Sequence, residues 1–325
     1  MRVLVTGSSG HLGEALVRVL PGAGHEPVGL DLLPSPHTRV VGPVTDRALV
    51  RRALEGVDAV LHTATLHKPH VGSHPRSAFV ETNVQGTLTL LEQAVAAGVS
   101  RFVFTSTTST FGRALTPGPG EPAAWITEDV VPVPRNVYGA TKTAAEDLCA
   151  LVAGDEGLPC LVLRTSRFFS EGDDRPDVRE RYSRDNAQAN ELLYRRVDLE
   201  DVVAAHLLAL DRAPQLGFGR YVVSAATPFT RADLAELRTD APAVVRRHFP
   251  HYPQLYAERG WTMFPAIDRV YDSSAAQAAL GWTPRYDFAA VLARLAAGEP
   301  VRSALAEQVG AKGYHQASTG PYTVR

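Results

Sequence analysis

The stretch RVLVTGSSGHLG at residues 2–13 decides how this chain begins to fold. It opens with a short apolar run typical of a buried strand and ends in the start of a helical pattern. Between them lie Gly7, Gly10 and Gly13, and glycine permits a positive φ and lets a bound group approach the main chain closely. A phosphate at such a turn would meet unpaired N–H groups and the positive end of the helix dipole. The stretch therefore predicts a strand–turn–helix unit that binds a phosphate-containing ligand.

An acidic residue follows at the end of the second predicted strand. Asp31 lies 18 residues after Gly13, near the spacing of about 20 expected for a carboxylate that binds the ribose hydroxyls of a dinucleotide. A carboxylate there would repel the 2′-phosphate of NADP unless an arginine compensated. No basic residue comes directly after Asp31, although Arg39 is close in sequence. The pattern therefore favours NAD over NADP as the cofactor.

The rest of the chain alternates short apolar runs with longer amphipathic stretches. Further strands are predicted at 26–31, 58–64, 101–107, 159–165 and 220–226, and helices at 12–20, 46–55, 76–97, 138–152 and 199–210. Several of the strands are apolar on successive residues, as expected when both faces of a sheet are covered. This order predicts an α/β fold, a Rossmann-type doubly wound parallel sheet with a smaller C-terminal substrate lobe.

Composition and charge exclude several classes of protein. With 45% hydrophobic and 21% charged residues, the chain is typical of a globular protein, and its net charge of −2 gives no reason to expect nucleic acid or an acidic membrane as a partner. Cys149 and Cys160 are too few for a disulfide framework and are expected to be reduced core residues. The N-terminus lacks a signal-peptide pattern, and no apolar run approaches the ~18 residues of a membrane span. We expect a cytoplasmic protein that acts on a small molecule.

A phenol and an ammonium are paired in YGATK, residues 138–142. Tyr138 and Lys142 stand four residues apart, so they share one face of a helix. An unperturbed phenol has a pKa near ~10, too high for a base at neutral pH. A nearby ammonium favours the phenolate and brings that pKa toward the working range. The same spacing also occurs in exposed helical pairs, but downstream of the glycine turn it predicts acid/base chemistry.

The order of motifs resembles the extended branch of the short-chain dehydrogenase/reductase family, within its NAD-dependent epimerase/dehydratase, UDP-galactose 4-epimerase-like members. The resemblance runs over nearly the full length, through GSSGHLG, LHTAT, ETNVQGT, RFVFTSTTSTFG, YGATK, LVLRTS, VDLEDVVAAHLLAL and LGWTP. It implies an NAD-dependent oxidoreductase or epimerase acting on a hydroxyl or carbonyl of a sugar or similar polyol. The alternatives are a nucleotide-sugar 4-epimerase and a non-catalytic dinucleotide-binding redox sensor.

The resemblance also implies roles for individual residues. Tyr138 would exchange a proton with the substrate oxygen, Lys142 would hold the nicotinamide ribose and lower the tyrosine pKa, and Thr107 would hydrogen-bond the reacting oxygen. The cofactor-binding set would be Gly7, Gly10, His11, Leu12, Gly13, Asp31, Val44, Thr63, Ala64, Thr65, His67, Asn83, Tyr138, Lys142 and Ser166. The substrate set would be Thr107, Thr108, Ser109 and Arg167.

Some positions depart from the relatives that bind UDP-sugars. Pro43 replaces the acidic residue expected to contact adenine, which leaves the backbone of Val44 for that role. Arg167 stands where an asparagine touches the nucleotide sugar, and Glu191 stands where an arginine grips the diphosphate. These departures argue against a UDP-sugar. Four arginines suggest a carboxylate or phosphate on the substrate, or else solvated loop charges: Arg164, Arg167, Arg175 and Arg179.

Four histidines lie in LHTATLHKPHVGSHP, residues 61–75, but no nearby cysteine or carboxylate completes a ligand set, and we expect no metal.

Three regions are expected along the chain. Residues 1–165 would form the NAD-binding domain with the catalytic residues. Residues 166–309 would form a mixed region, the smaller substrate lobe, from which segments at about 197–225 return to the main sheet. Residues 310–325 would be a tail.

The polar stretch 170–191 has no apolar period and predicts a surface loop, a loosely helical excursion or a substrate lid. The resemblance implies a homodimer through the helices at 76–97 and 138–152, which a monomeric mass in solution scattering would contradict.

Overall fold

The computed structural model describes residues 1–312, which divide into two compact units. The first unit comprises Met1–Thr110, Pro134–Thr165 and Val202–Tyr221, and the second comprises Phe111–Val133, Ser166–Asp201 and residues 222–312. The end of the expected tail, residues 313–325, lies outside the described residues.

Six strands lie close to the predicted runs, and three short ones, at 40–41, 124–126 and 269–271, were not predicted; all nine lie within residues 1–312. They are β1 (Arg2–Thr6), β2 (Glu26–Asp31), β3 (Val40–Val41), β4 (Ala59–His62), β5 (Arg101–Thr107), β6 (Ala124–Ile126), β7 (Cys160–Thr165), β8 (Phe218–Val223) and β9 (Arg269–Tyr271). The helices are α1 (His11–Val19), α2 (Arg47–Ala53), α3 (Arg76–Phe79), α4 (Gly86–Ala96), α5 (Val137–Asp155), α6 (Pro176–Arg181), α7 (Arg184–Glu191), α8 (Leu199–Leu216), α9 (Leu234–Leu237), α10 (Ala241–His248), α11 (Tyr252–Ala257), α12 (Ser274–Leu280), α13 (Phe288–Ala296) and α14 (Ala304–Val309).

Seven strands form the main sheet in the order β3-β2-β1-β4-β5-β7-β8. The pairs β1–β2, β1–β4, β2–β3, β4–β5 and β5–β7 are parallel, which confirms the predicted doubly wound α/β fold. The strand order reverses between β1 and β4, and ligands of such sheets bind beyond the carboxyl ends of the strands at this point. The glycine turn follows β1 at that edge.

The core of the first unit lies against β1, β4, β5 and β7, whose apolar side chains are buried. Cys149 and Cys160 lie in this core as free, buried thiols, as expected. None of the helices in the described part of the chain is long and apolar enough to cross a membrane.

The helix predicted over 76–97 is interrupted. The structure has α3, then a π-helical segment at Val80–Gln85, then α4. A π-helical turn inserts an extra residue and redirects the side chains that follow it. Asn83 lies in this segment, and its side chain is fully hydrogen-bonded as described below. The apolar period of the stretch is continuous, so it does not reveal the interruption.

The polar stretch 170–191 is largely ordered and partly buried, so the prediction of a solvated loop is wrong for its second half. It contains α6 and α7, and residues 186–191 are all buried. The Gln188 amide donates to the carbonyls of Ser170 and Glu171, and the Asn186 and Asn190 amides donate to the Thr262 carbonyl. Burial of polar side chains is tolerated here because these hydrogen bonds replace those with water.

Candidate active site

The glycine turn after β1 is tight because neighbouring backbone leaves no room for side chains. Gly7 has φ +74°, and a Cβ there would lie 2.8 Å from the Ala64 nitrogen. A Cβ on Gly13 would lie 1.9 Å from the Gly7 carbonyl oxygen. Gly10 is the N-cap of α1 and provides no side-chain cap for the helix. The start of α1 therefore offers backbone to a bound anion, as a pyrophosphate requires.

Asp31 ends β2 beside this turn, and its carboxylate is held in place by the backbone. Its Oδ2 accepts from the Ser9 N–H at 2.9 Å, and its Oδ1 accepts from the Leu33 N–H at 2.9 Å. Each oxygen keeps a further lone pair, so the carboxylate can still accept from ribose hydroxyls. Arg39 instead lies 3.5 Å from Glu26, at the opposite end of β2. No arginine from this loop compensates Asp31 for a 2′-phosphate, which agrees with NAD.

The loop after β4 packs directly on the end of β1. The Thr63 hydroxyl donates to the Thr6 carbonyl at 2.7 Å, and the Ala64 N–H donates to the Thr6 hydroxyl at 3.2 Å. Asn83 holds the next residues of the loop. It accepts from the Leu66 N–H at 2.8 Å and from the Thr65 hydroxyl at 2.9 Å, and it donates to the Leu66 carbonyl at 2.9 Å.

The remaining Asn83 hydrogen bond joins this loop to α5. Its amide donates to the Thr141 hydroxyl at 3.0 Å, and that hydroxyl is one residue from Lys142. The buried Asn83 side chain is therefore saturated by the protein. We assign it a positioning role, in which it ties the loop beside the glycine turn to the helix that carries Tyr138 and Lys142.

Tyr138 and Thr107 meet at the start of α5. Burial raises the pKa of Tyr138 to about 12, and a hydrogen bond with the Thr107 side chain acts in the opposite direction. Ser109 follows β5, and its N–H donates to the Thr107 hydroxyl at 3.1 Å. A Cβ on Gly139 would lie 2.7 Å from the Ser109 carbonyl oxygen. The small residue after Tyr138 therefore lets α5 pack against the turn of Thr107, Thr108 and Ser109.

Lys142 lies one helical turn beyond Tyr138 and is 2% exposed. Its Nζ is 3.9 Å from the centroid of the Phe104 ring. Burial lowers the pKa of Lys142 to about 7, while Cys149 and Glu146 act in the opposite direction. A lysine side chain with this pKa is present both as the ammonium and as the neutral amine near neutral pH, whereas an arginine would stay charged.

The histidines of the β4 loop do not form a metal site. His62 hydrogen-bonds the hydroxyls of Thr6 at 2.7 Å and Thr87 at 3.0 Å, and burial with the charge of Lys142 holds its pKa well below the usual value. The rings of His67 and His70 meet edge to face, with their centroids 4.6 Å apart. In the part of the chain that the structure describes, no group of three or more His, Cys, Asp or Glu residues could hold a metal ion.

Two of the predicted cofactor-binding residues, Val44 and Ser166, have buried side chains. Val44 is buried, and its side chain packs against Gly86. A Cβ added to Gly86 would lie only 2.6 Å from the Val44 Cγ2 atom. Ser166, in the second unit, is buried, and its hydroxyl has no hydrogen-bond partner within residues 1–312. His11 and Leu12 open α1 and are buried.

Arg167 belongs to an ion-pair cluster inside the second unit. We call the arginine cluster the set of Arg167, Arg195, Arg196, Asp173, Asp174 and Glu191. Arg167 contacts Asp173 at 2.6 Å, Glu191 at 3.3 Å and Asp174 at 3.4 Å. Arg195 contacts Glu191 at 2.7 Å and Asp173 at 2.9 Å, and Arg196 contacts Glu191 at 2.7 Å. Three guanidiniums thus face three carboxylates of their own unit.

Glu191 is the centre of this arginine cluster. Its side chain is 1% exposed. Burial alone would raise its pKa, but Arg195, Arg196 and Arg167 hold the pKa well below the usual value. The carboxylate is therefore ionised at neutral pH and neutralises the guanidiniums around it.

Glu191→Gln is expected to destabilise the protein by roughly 3–5 kcal/mol, because it removes the buried carboxylate that Arg167, Arg195 and Arg196 all contact. Urea unfolding followed by circular dichroism measures this. The control is Asp174→Asn, whose side chain is 25% exposed and 3.4 Å from Arg167; it should change stability by less than about 1 kcal/mol. Equal stability of Glu191→Gln and the parent protein would contradict the conclusion that Glu191 is the centre of the arginine cluster.

Glu146, a buried carboxylate one turn from Lys142 on α5, was not identified from the sequence, and its ion-pair partner, Arg164, was considered as a possible substrate residue. Glu146 lies on α5 one turn beyond Lys142 and is 1% exposed. Arg164, considered above for an anionic substrate, donates to Glu146 with Nη2–Oε2 at 2.8 Å, and its side chain is 4% exposed. The spacing of Tyr138, Lys142 and Glu146, four residues each, was the available signal.

Known proteins resemble this chain over much of its length. The profile of the NAD dependent epimerase/dehydratase family matches residues 3–223. A 3-beta-hydroxysteroid dehydrogenase from Mycolicibacterium neoaurum is 31% identical over 221 residues, covering 64% of this chain and 54% of that protein. A UDP-glucose 4-epimerase from Rhizobium meliloti is 27% identical over 328 residues, covering 89% of this chain and 94% of that protein.

A solved structure extends the likeness to three dimensions. It is a short-chain dehydrogenase/reductase superfamily protein from Agrobacterium tumefaciens with bound NAD. It is 25% identical, with a TM-score of 0.65, and the match covers 91% of this chain and 96% of that one. The matches cover 54%, 41% and 66% of the first three curated relatives, so the chain spans only part of the length of each.

Proposed function

This chain belongs to the NAD-dependent epimerase/dehydratase family, of the extended short-chain dehydrogenase type, and from that premise we propose that it oxidises or reduces a hydroxyl or carbonyl of a sugar or similar polyol. NAD, the family's cofactor, supplies or accepts the hydride when bound. The observation that carries the proposal is the pair of Tyr138 and Lys142, both buried, on one face of α5 beside Thr107.

Tyr138 is the group that moves the proton. In oxidation its phenolate would take the proton of the substrate hydroxyl, and in reduction its phenol would return a proton to the same oxygen. Burial raises the pKa of Tyr138 to about 12, so the phenolate needs a positive charge beside it to form near neutral pH. The ammonium of Lys142 supplies that charge, and Thr107 orients the reacting oxygen.

The residues beside the glycine turn fit the cofactor. A pyrophosphate would lie on the backbone at Gly7, Gly10 and Gly13, where a side chain would collide with its neighbours. Asp31 would accept from the adenosine ribose. Thr63, Ala64 and Thr65, in the loop that Asn83 holds, would line the pocket.

Arg167 is a substrate residue by resemblance alone, and its ion pairs within the second unit favour a neutral substrate over an anionic one. The carboxylates of Asp173, Asp174 and Glu191 already occupy the guanidiniums of Arg167, Arg195 and Arg196. A diphosphate or carboxylate would have to displace these buried partners and leave them uncompensated, which is costly. Arg167, taken by resemblance as a substrate residue, would then contact substrate only through its remaining polar surface.

A nucleotide-sugar 4-epimerase remains the second candidate. One observation favours it: the UDP-glucose 4-epimerase from Rhizobium meliloti matches along 89% of this chain and 94% of its own length. The non-catalytic redox sensor has less support, because Thr107, Tyr138 and Lys142 are all present together. The division into 1–165, 166–309 and 310–325, the cytoplasmic location and the homodimer remain parts of this proposal.

The test starts with the protein as purified. It is denatured, and the supernatant is assayed for NAD(H) by absorbance and mass spectrometry. Stoichiometric NAD favours an epimerase, which regenerates its cofactor internally, and an empty protein that binds NAD reversibly favours a dehydrogenase. A protein that neither holds nor binds NAD contradicts the proposal.

UDP is expected not to bind the native protein at millimolar concentration, because the arginine cluster is already neutralised. Isothermal titration with UDP, and with NAD as the positive control in the same preparation, measures this. Interconversion of UDP-glucose and UDP-galactose would instead establish the second candidate. NADH formation from a neutral sugar or polyol in a substrate screen supports the first.

A further inference from the structure

Lysine is rare in this protein, and one of its lysines is buried. The chain has 33 lysines and arginines, of which only Lys68, Lys142 and Lys312 are lysines. Lys142 is 2% exposed, whereas Lys68 is exposed. A buried ammonium is costly unless a partner compensates it. Its compensation therefore has to come from groups around α5.

Glu146 is the buried carboxylate closest along α5 to Lys142, and four donors hold it. Arg164 donates from Nε to Oε1 at 3.2 Å and from Nη2 to Oε2 at 2.8 Å. The Ser106 hydroxyl donates to Oε1, and Ser106 directly precedes Thr107 on β5. Arg220 lies 3.3 Å from Oε2. The carboxylate is thus anchored to β5, β7 and β8 and cannot swing away from its position one turn beyond Lys142.

We propose that Glu146 is a positioning residue for the Tyr138–Lys142 pair: its anchored carboxylate, one helical turn away, favours the charged form of the buried Lys142. The inference rests on the proposed function, in which the Lys142 ammonium favours the phenolate form of Tyr138. Burial is already the larger effect on Lys142. Removing the negative charge would leave burial less opposed, so Lys142 would lose its proton at lower pH. The positive charge beside Tyr138 would then disappear earlier as the pH rises.

The other groups around Lys142 do not replace Glu146. From β4, His62 is held neutral by burial and by Lys142, so it adds no negative charge. From β5, Phe104 offers only its ring face. On α5 itself, Cys149 opposes burial more than Glu146 does, but a thiol carries a negative charge only after it loses its proton, whereas the Glu146 carboxylate is held as an anion by two arginines. Tyr138 is protonated at neutral pH because burial raises its pKa to about 12. Arg164 and Arg220 are cations that contact Glu146 directly.

The experiment is an NMR titration of the cofactor-free full-length chain labelled with [13C]lysine. Three Cε signals are expected, assigned with Lys68→Arg and Lys312→Arg. The Lys142 signal should titrate near neutral pH and the other two near pH ~10. In Glu146→Gln the Lys142 midpoint should move to lower pH, with roughly a tenfold or greater loss of proton affinity.

Two further variants make the result decisive. Asp147→Asn removes an exposed carboxylate that contacts Arg220 at 2.9 Å, and it should leave the Lys142 midpoint unchanged. The double variant Glu146→Gln/Arg164→Gln removes both buried charges, so it keeps the test available if the single variant does not fold. It should shift the midpoint in the same direction. An unchanged Lys142 midpoint in every folded variant that lacks Glu146 would overturn the inference.

A pH profile separates this inference from the proposed function. If both hold, turnover of Glu146→Gln should fall at lower pH than turnover of the parent as the pH is raised, and Asp147→Asn should follow the parent. A titration shift in a protein without NAD-dependent turnover would support the role of Glu146 while contradicting the proposed function. A normal pH profile together with an unshifted midpoint would contradict the role of Glu146 alone.

Discussion

Tyr138→Phe is expected to abolish turnover, with a loss of roughly 100-fold to 10,000-fold, while NAD affinity stays nearly unchanged. The substitution removes one oxygen, the atom that exchanges the proton with the substrate. The buried ring keeps its packing, and the glycine turn and Asp31 are untouched. Steady-state kinetics with the substrate found by screening, together with calorimetric titration of NAD, measures both quantities.

A second tyrosine provides the matched control for this variant. Burial raises the pKa of Tyr194 to about 12, as it does for Tyr138, but Tyr194 lies in the second unit. Tyr194→Phe should keep turnover within a few-fold of the parent. Retained turnover in Tyr138→Phe would remove this tyrosine from the mechanism, and equal losses in both variants would indicate a general effect of losing a buried phenol.

Gly13→Ala is expected to abolish NAD binding and to destabilise the protein by roughly 1–3 kcal/mol or more. The new Cβ would lie 1.9 Å from the Gly7 oxygen, 2.5 Å from the Gly7 carbonyl carbon and 2.9 Å from the Ser8 Cα. All three are backbone atoms, so no side chain can turn away to make room. The turn and the start of α1 must separate, and the backbone can then no longer surround a pyrophosphate.

Thermal unfolding and NAD titration measure the effect of Gly13→Ala. The matched control is Gly154→Ala, near the end of α5, where a new Cβ meets nothing within 4 Å. Because alanine favours helix over glycine, that control should stabilise the protein by about 0.5–1 kcal/mol. Normal NAD affinity in Gly13→Ala would show that the turn does not bind the cofactor.

The elements of the first unit could be predicted because their signals are local. β2 occupies the predicted residues 26–31, and α1 covers His11–Val19 against a predicted helix at 12–20. Strand–helix alternation then limits the connections to a parallel sheet. The π-helical interruption at Val80–Gln85 was not predicted, because the hydrogen bonds of Asn83 that accompany it reach Leu66 and Thr141, which are distant in sequence.

Charged residues were harder to place than apolar ones. Arg164 and Arg167 were considered together as anion-binding candidates, yet one pairs with Glu146 on α5 and the other with Asp173 and Glu191. A long cationic side chain reaches several possible partners, and its spacing along the chain does not select among them. The number and position of acidic partners are set by how distant segments pack.

By itself, the sequence determined the doubly wound sheet, the glycine turn with Asp31 and the pairing of Tyr138 with Lys142 on one helix. Each depends on residues that are close along the chain, where periodicity and φ preference act directly. Only the tertiary structure decided that Lys142 is buried, that Glu146 one turn beyond it is anchored by β5, β7 and β8, and that Arg167 is already paired with carboxylates. Burial and charge compensation depend on which distant segments meet, and no local pattern encodes that.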